Sequence, residues 1–131
     1  MLSKTHSLSI DAPKAKVFGF LSDIENLPKW ATAFCRELKQ VGGRYKVVTP
    51  QGEIFFRIET DPSTGVIDMH GGPSEDAVAC WPARVVERPD GGSLFLFTAF
   101  QQPGVSAADF ERQCDALQEE FSHVRRLTEA P

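Results

Sequence analysis

The sequence has few cysteines, no excess of basic residues and no long apolar run. Its three cysteines, Cys35, Cys80 and Cys114, lie far apart and form no CxxC pair, which argues against a disulfide framework and a zinc site. A net charge of −4 argues against the basic surface that nucleic-acid binding requires. No segment approaches the roughly 18 consecutive apolar residues of a membrane span. We therefore expect no metal, no cofactor, no nucleic-acid partner and no membrane span.

Length and composition predict one domain that covers residues 1–131. Hydrophobic residues make up 41% of the 131 residues, and a chain of this length can bury a stable core without disulfide bonds or bound metals. No repeat, linker or low-complexity segment divides it. The residues after Met1 include no apolar segment of signal-peptide length, so we expect a cytoplasmic protein with reduced thiols.

The predicted elements follow the order strand, two short helices, six antiparallel strands and one long helix. His6, Leu8 and Ile10 alternate with serines as in a strand, and Pro13 suits the first turn of a helix. Turn sequences rich in Gly, Pro and Asp then separate short strands at 34–41, 44–49, 53–60, 66–70, 77–88 and 93–101. Pro82 favours an edge position or a bulge within the fifth of these strands. This pattern is typical of an α+β domain.

The last helix carries a single apolar stripe. Four- and three-residue spacings connect Phe110, Cys114, Leu117, Phe121 and Val124, so these side chains share one face over about four turns. His123 lies off this stripe and is expected in solvent. A helix with one apolar face has to bury it, and the sheet offers the only extended apolar surface.

Short motifs occur in a familiar order along nearly the whole chain. They are IDAP at 10–13, VF at 17–18, LSD at 21–23, LPKW at 27–30, TGVID at 64–68, ARVV at 83–86 and FT at 97–98, followed by the amphipathic helix. In this order they resemble the START-like superfamily, which includes the birch-pollen allergen, and within it the polyketide cyclase/dehydrase and lipid-transport family (SRPBCC). The resemblance implies a helix-grip fold, β-α-α-β6-α, in which a curved antiparallel sheet wraps around the C-terminal helix and leaves an apolar cavity. It implies no single chemistry, because members include lipid carriers, hormone binders and aromatase/cyclases.

Pairing each hairpin outward from its turn assigns the side chains to two faces of the sheet. Thr60 is paired with Gly65, and Arg88 with Ser93. One face is then almost entirely apolar, with Ile54, Phe56, Ile58, Ile67, Met69, Trp81, Ala83, Val85, Leu94, Leu96 and Phe100. If this face meets the helix, the domain binds or transports a hydrophobic small molecule such as a lipid, a polyketide or an aromatic compound. The expected wall residues are Phe56, Met69, Trp81, Leu96, Phe110, Cys114, Leu117 and Phe121; the alternative is a filled core without a ligand.

The opposite face is polar and supports two other hypotheses. It carries Arg57, Asp68, His70 and Arg84 beside Phe55, Phe95 and Phe97. Turned inward, it would suit a cyclase/dehydratase-type enzyme in which His70 moves protons, Asp68 orients it, and an arginine holds an oxyanion or carboxylate. Turned outward, it would carry an Arg57–Asp68 pair and leave three phenylalanines exposed, as in a homodimer or protein-interaction surface.

Overall fold

The computed structural model describes residues 1–76 and 78–131, and within them eight strands form one antiparallel sheet. The strands are β1 (Ser3–Ile10), β2 (Glu37–Val41), β3 (Arg44–Thr49), β4 (Gly52–Asp61), β5 (Val66–Gly72), β6 (Ala79–Trp81), β7 (Ala83–Glu87) and β8 (Ser93–Phe100). Helix α1 (Lys14–Ser22), a 3-10 turn (Ile24–Asn26) and helix α2 (Leu27–Trp30) connect β1 to β2, and α3 (Ala107–Glu129) ends the chain. The sheet order is β1-β8-β7-β5-β4-β3-β2, and β6 pairs with β5.

The predicted α+β helix-grip architecture is confirmed, with one strand more than expected. Residues 77–88 were predicted as one strand, and residue 77 lies outside the part of the chain that the structure describes. The structure has two strands there, β6 and β7, separated by Pro82. Proline has no N–H to donate, so the ladder is interrupted, although the Pro82 carbonyl still accepts from the Thr98 N–H at 2.9 Å. Among the described residues, no helix is both long enough and apolar enough to cross a membrane.

The β4–β5 hairpin keeps its predicted faces but not its predicted partners. Thr60 lies opposite Ile67 and not Gly65, and Ile58 lies opposite Met69. The displacement amounts to two residues, and because side chains alternate with a period of two, both faces keep their members. The expected Arg57–Asp68 pair is wrong, since His70 is the cross-strand neighbour of Arg57.

The β7–β8 hairpin differs by one residue, and this exchanges the faces of β8. The Arg88 N–H donates to the Gly92 carbonyl at 2.9 Å, which leaves a three-residue loop closed by Gly91 at φ +90°. A one-residue slip turns every side chain of a strand to the other face. Phe95 and Phe97 are therefore buried under α3, at 1% and 4% exposure.

Two expectations fail with this register. Leu96 was predicted on the cavity wall, but it lies on the outer face of the sheet opposite Arg84. The exposed-phenylalanine surface loses Phe95 and Phe97 to the core, so the dimerisation hypothesis loses two of the three rings that suggested it.

Phe121 is the centre of the packing between α3 and the sheet. Its ring lies 5.3 to 6.2 Å, centroid to centroid, from the rings of His6, Trp30, Phe95 and Phe97. The rest of the predicted stripe is also buried, except for the partly exposed Leu117. Ring contacts of this kind add to the burial of large apolar areas, so they hold α3 on the concave face.

His6 is the buried titratable group of β1. The Gln118 side-chain amide donates to its Nδ1 at 2.6 Å, and the other ring nitrogen, Nε2, has no hydrogen-bond partner among the described residues. Burial, helped by the positive charge of Lys4, lowers the pKa of His6 below its usual value. The folded state therefore favours the neutral form of this imidazole.

We expect acid to destabilise the fold through His6. The unfolded chain takes up a proton at this site near the ordinary histidine pKa of about 6.5, whereas the folded chain does so only at lower pH. The contribution of His6 is thus fully present above that pH and is lost as the pH falls towards the lowered, folded-state pKa. Urea denaturation at about pH 7.5 and about pH 5 should show a smaller pH-dependent loss in His6→Gln than in the wild type. Equal losses in the two proteins would contradict a neutral His6.

Candidate ligand cavity

A cavity of about 730 Å³ lies between the concave face of the sheet and α3. Close-packed protein interiors contain few voids larger than one water molecule, whereas sites for small molecules span roughly 300–1,000 Å³. The sheet contributes Phe56, Met69, Trp81, Phe97, Ala99 and Phe100; α2 and the loop after it contribute Leu27, Trp30, Ala31, Ala33 and Phe34; α3 contributes Asp109, Arg112, Gln113, Ala116, Leu117 and Glu120. Pro50, Gln51, Gln102, Gly104 and Val105 complete the lining. The space has the size of a ligand site.

Three aromatic rings form one side of the cavity, which we call the aromatic wall: Phe34, Phe56 and Trp81. Their ring centroids lie 5.7 Å apart for Phe34 and Phe56, 6.1 Å for Phe34 and Trp81, and 6.4 Å for Phe56 and Trp81. Gly71 on β5 makes room for this arrangement, because a Cβ there would lie 3.1 to 3.2 Å from Ile54, Phe56 and Trp81 side-chain atoms. The wall gives a ligand flat apolar faces to stack on.

The α3 side of the cavity is more polar than the sheet side. Arg112 forms an ion pair with Asp109 one turn earlier on the helix, and both side chains are largely exposed at the rim. Ala116 and Leu117 line the cavity deeper along the helix. A ligand that enters here therefore meets an arginine whose charge is already paired.

Glu120 is a buried ionisable residue of the cavity lining. Only 3% of the residue is exposed, and its Oε2 accepts hydrogen bonds from the backbone N–H groups of Ala33 and Phe34, each at 3.2 Å. Burial raises the pKa of this carboxyl, and the two N–H donors oppose the rise only in part. The sequence did not indicate Glu120, because a glutamate beside the apolar stripe of a helix is expected to face solvent. The available signal was its position three residues after Leu117, at the edge of the stripe.

The predicted wall residues divide into three groups. Phe56, Met69, Trp81 and Leu117 line the cavity. Phe110, Cys114 and Phe121 are buried in the packed core beside it, where α3 and the sheet meet directly. Leu96 lies on the outer face, for the register reason given above. Among the lining residues that went unpredicted, Trp30 and Phe34 come from α2 and its following loop, which hairpin pairing does not place.

The four polar candidates lie on the outer face of the sheet, which separates them from the cavity. Arg57 pairs with Glu59, and the His70 Nε2 lies 3.3 Å from the Glu59 Oε1 without hydrogen-bond alignment. A smaller cavity of about 450 Å³ includes Arg57 and His70 in its lining. A reaction at these residues requires a substrate on the outer face.

Asp68 and Arg84, the other two polar candidates, are engaged in local backbone contacts. The Asp68 Oδ1 accepts from the Ala83 N–H at 3.3 Å, and the Arg84 Nε donates to the Thr64 carbonyl at 2.7 Å. Both contacts hold β7 against the β4–β5 hairpin.

The cysteines are free thiols, of which Cys35 and Cys114 are buried and Cys80 is partly buried. Burial, with a smaller contribution from the nearby Glu120, raises the pKa of Cys35 to about 11. Burial also raises the pKa of Cys80 and Cys114. Since the thiolate is the reactive form, all three are poor nucleophiles at neutral pH.

Comparison with known proteins identifies the class of fold. No protein-family model matches the chain, and no curated protein matches its sequence. Among solved structures, XoxI from Bacillus cereus superimposes with a TM-score of 0.75 at 16% identity, over 98% of this chain and 96% of that one. The Aha1 dimer from Colwellia psychrerythraea gives 0.71 at 17% identity, over 98% and 97%. Ara h 8.0201 gives 0.66 at 17% identity, over 97% of each chain.

At such low identities the likeness establishes the fold alone. The chain has the helix-grip fold, as its motifs predicted. Membership in the polyketide cyclase/dehydrase and lipid-transport family stays a prediction.

Proposed function

We propose that this protein binds an apolar small molecule with an aromatic or ring-containing body in the cavity between the sheet and α3. The observation that carries the proposal is the cavity of about 730 Å³ with the aromatic wall on one side. Apolar surface buried on binding contributes roughly 25 cal/mol per Å², and stacked rings add to it. The solved structures with this fold support the proposal by analogy, because helix-grip folds commonly enclose ligands.

A binding role agrees with the geometry better than the enzyme hypothesis built on His70. That residue and its polar neighbours face away from the cavity. Inside it, the described ionisable groups are Asp109, Arg112 and Glu120, and the first two are paired with each other at the rim. One buried carboxylate is better suited to selecting a ligand than to the paired acid and base of a dehydration.

Filling the cavity should weaken ligand binding strongly without unfolding the protein. Ala116 lines the cavity from α3, so the ring in Ala116→Phe would occupy the space of the ligand. We expect Ala116→Phe to weaken the binding of naphthylethanol, a neutral aromatic probe, by about a hundredfold. A change of this size corresponds to the free energy gained by burying one aromatic ring. Tryptophan fluorescence is a direct readout, because Trp30 and Trp81 both line the cavity.

The matched control is Ala108→Phe, the same change on the exposed face of the same helix. It should bind naphthylethanol as the wild type does. Equal affinity in all three proteins would place the probe elsewhere, and no binding by the wild type would contradict an aromatic-ligand cavity. Unchanged circular dichroism and thermal midpoint confirm that the variants are folded.

A further inference from the structure

Glu120 and the aromatic wall are connected through one residue, Phe34. The Phe34 backbone N–H donates to the carboxylate at 3.2 Å, while its ring belongs to the wall, 5.7 Å from Phe56 and 6.1 Å from Trp81. The loop after α2 therefore connects the Glu120 carboxyl to the aromatic wall through a single residue. Each of these features attracts positive charge.

The carboxylate keeps one oxygen for a ligand. Both backbone donors bind Oε2, which leaves Oε1 without a hydrogen-bond donor among the described residues. Arg112 pairs with Asp109, and the His123 ring, which contacts the Trp30 carbonyl through Nδ1 at 3.2 Å, acts on Glu120 only from a distance. A carboxylate taken out of water with no countercharge in contact is unfavourable, and the ammonium group of a bound ligand would supply that countercharge.

From this juxtaposition we infer that the ligand is a lipophilic amine, an organic cation whose ammonium group pairs with Glu120 and whose apolar body lies on the aromatic wall. The inference rests on the proposed function and narrows its ligand class. Carboxylate-bearing ligands are disfavoured, because Glu120 would repel them and the rim arginine is neutralised by Asp109. Neutral ligands of the same shape keep the stacking and lose the ion pair.

A purely structural role for Glu120 is the competing explanation. Its two hydrogen bonds fasten residues 33 and 34 to α3, and this alone could account for a buried glutamate. The variant Glu120→Gln separates the two roles, because an amide oxygen still accepts both N–H bonds but carries no charge. Glu119→Gln on the exposed neighbour is the matched control for removing one negative charge from α3.

The experiment compares three probes with the same ring system, naphthylethylamine, naphthylethanol and naphthylacetate, by isothermal titration calorimetry at neutral pH. For the wild type and Glu119→Gln we expect the amine to bind about tenfold or more tightly than the alcohol, and the acetate to bind weakest, as charge-assisted hydrogen bonds predict. In Glu120→Gln the preference for the amine should disappear while the alcohol keeps its affinity.

Each result decides between the claims. Equal affinity of the wild type for amine and alcohol overturns the amine assignment and leaves the aromatic cavity in place. Parallel loss of amine and alcohol binding in Glu120→Gln assigns Glu120 a structural role only. If none of the three probes binds the wild type, the proposed function fails and the ligand class fails with it.

Discussion

Replacing Phe121 by alanine is expected to destabilise the protein by about 3–5 kcal/mol, the usual cost of truncating a fully buried aromatic ring. Phe121 is 2% exposed and contacts the rings of His6, Trp30, Phe95 and Phe97. These four residues come from β1, α2 and β8, so one side chain joins α3 to three other elements. Domains of this size are stable by only about 5–15 kcal/mol, and Phe121→Ala removes a large part of that margin.

The comparison for this variant is Phe100→Ala at the open end of β8, where 36% of the residue is exposed. The free energy of unfolding that Phe100→Ala loses should be about half of the loss in Phe121→Ala or less, because more than a third of this residue is already exposed. Urea denaturation followed by far-UV circular dichroism measures both. A cost for Phe121→Ala as small as that for Phe100→Ala would show that α3 is not held by this cluster.

The elements and their order could be predicted because periodicity records which side chains need burial. The spacing of Phe110, Cys114, Phe121 and Val124 identified the face of α3 that contacts the sheet, and all four are buried. Turn sequences marked the strand ends, since Gly, Pro and Asp have local conformational reasons to lie there. Local chemistry therefore fixes the architecture.

Register could not be predicted in the same way, because it depends on how many residues the turn itself uses. For Pro89-Asp90-Gly91-Gly92, a four-residue loop and a three-residue loop both satisfy the turn signals. In the structure Gly91 adopts φ +90° and the loop has three residues. That single residue moves Phe95 and Phe97 inward and Leu96 outward.

The candidate site was predictable only where strands and the helix stripe form it. Phe56, Met69, Trp81 and Leu117 were expected on the wall and line the cavity. Phe34 was not expected, because it lies in an irregular loop whose position is set by the distant Glu120. Contacts between residues so far apart in sequence leave no periodic pattern.

A final prediction concerns Gly65, where the fold requires a residue without a side chain. Gly65 ends the β4–β5 turn at φ +80°, and a Cβ built there overlaps the backbone carbonyl oxygen of Val85. Side-chain rotation cannot relieve the overlap, because the atom that the Cβ meets belongs to the backbone. The turn is also tied to β7, since the Val85 N–H donates to the Gly65 carbonyl at 2.9 Å. Gly65→Ala should therefore combine the left-handed penalty of about 1–2 kcal/mol with a further 1–3 kcal/mol of forced backbone movement.

Gly91→Ala separates these two contributions. Gly91 has a similar φ of +90°, but a Cβ there meets no atom within 4 Å, so only the conformational penalty applies. The difference in free energy of unfolding between the two variants, measured by urea denaturation, isolates the contact with Val85. Equal destabilisation would mean that β7 can move away from the turn. In that case the hydrogen bond between Val85 and Gly65 would not constrain how β7 lies against the β4–β5 hairpin, and the close approach seen here would be incidental to the packing of the sheet.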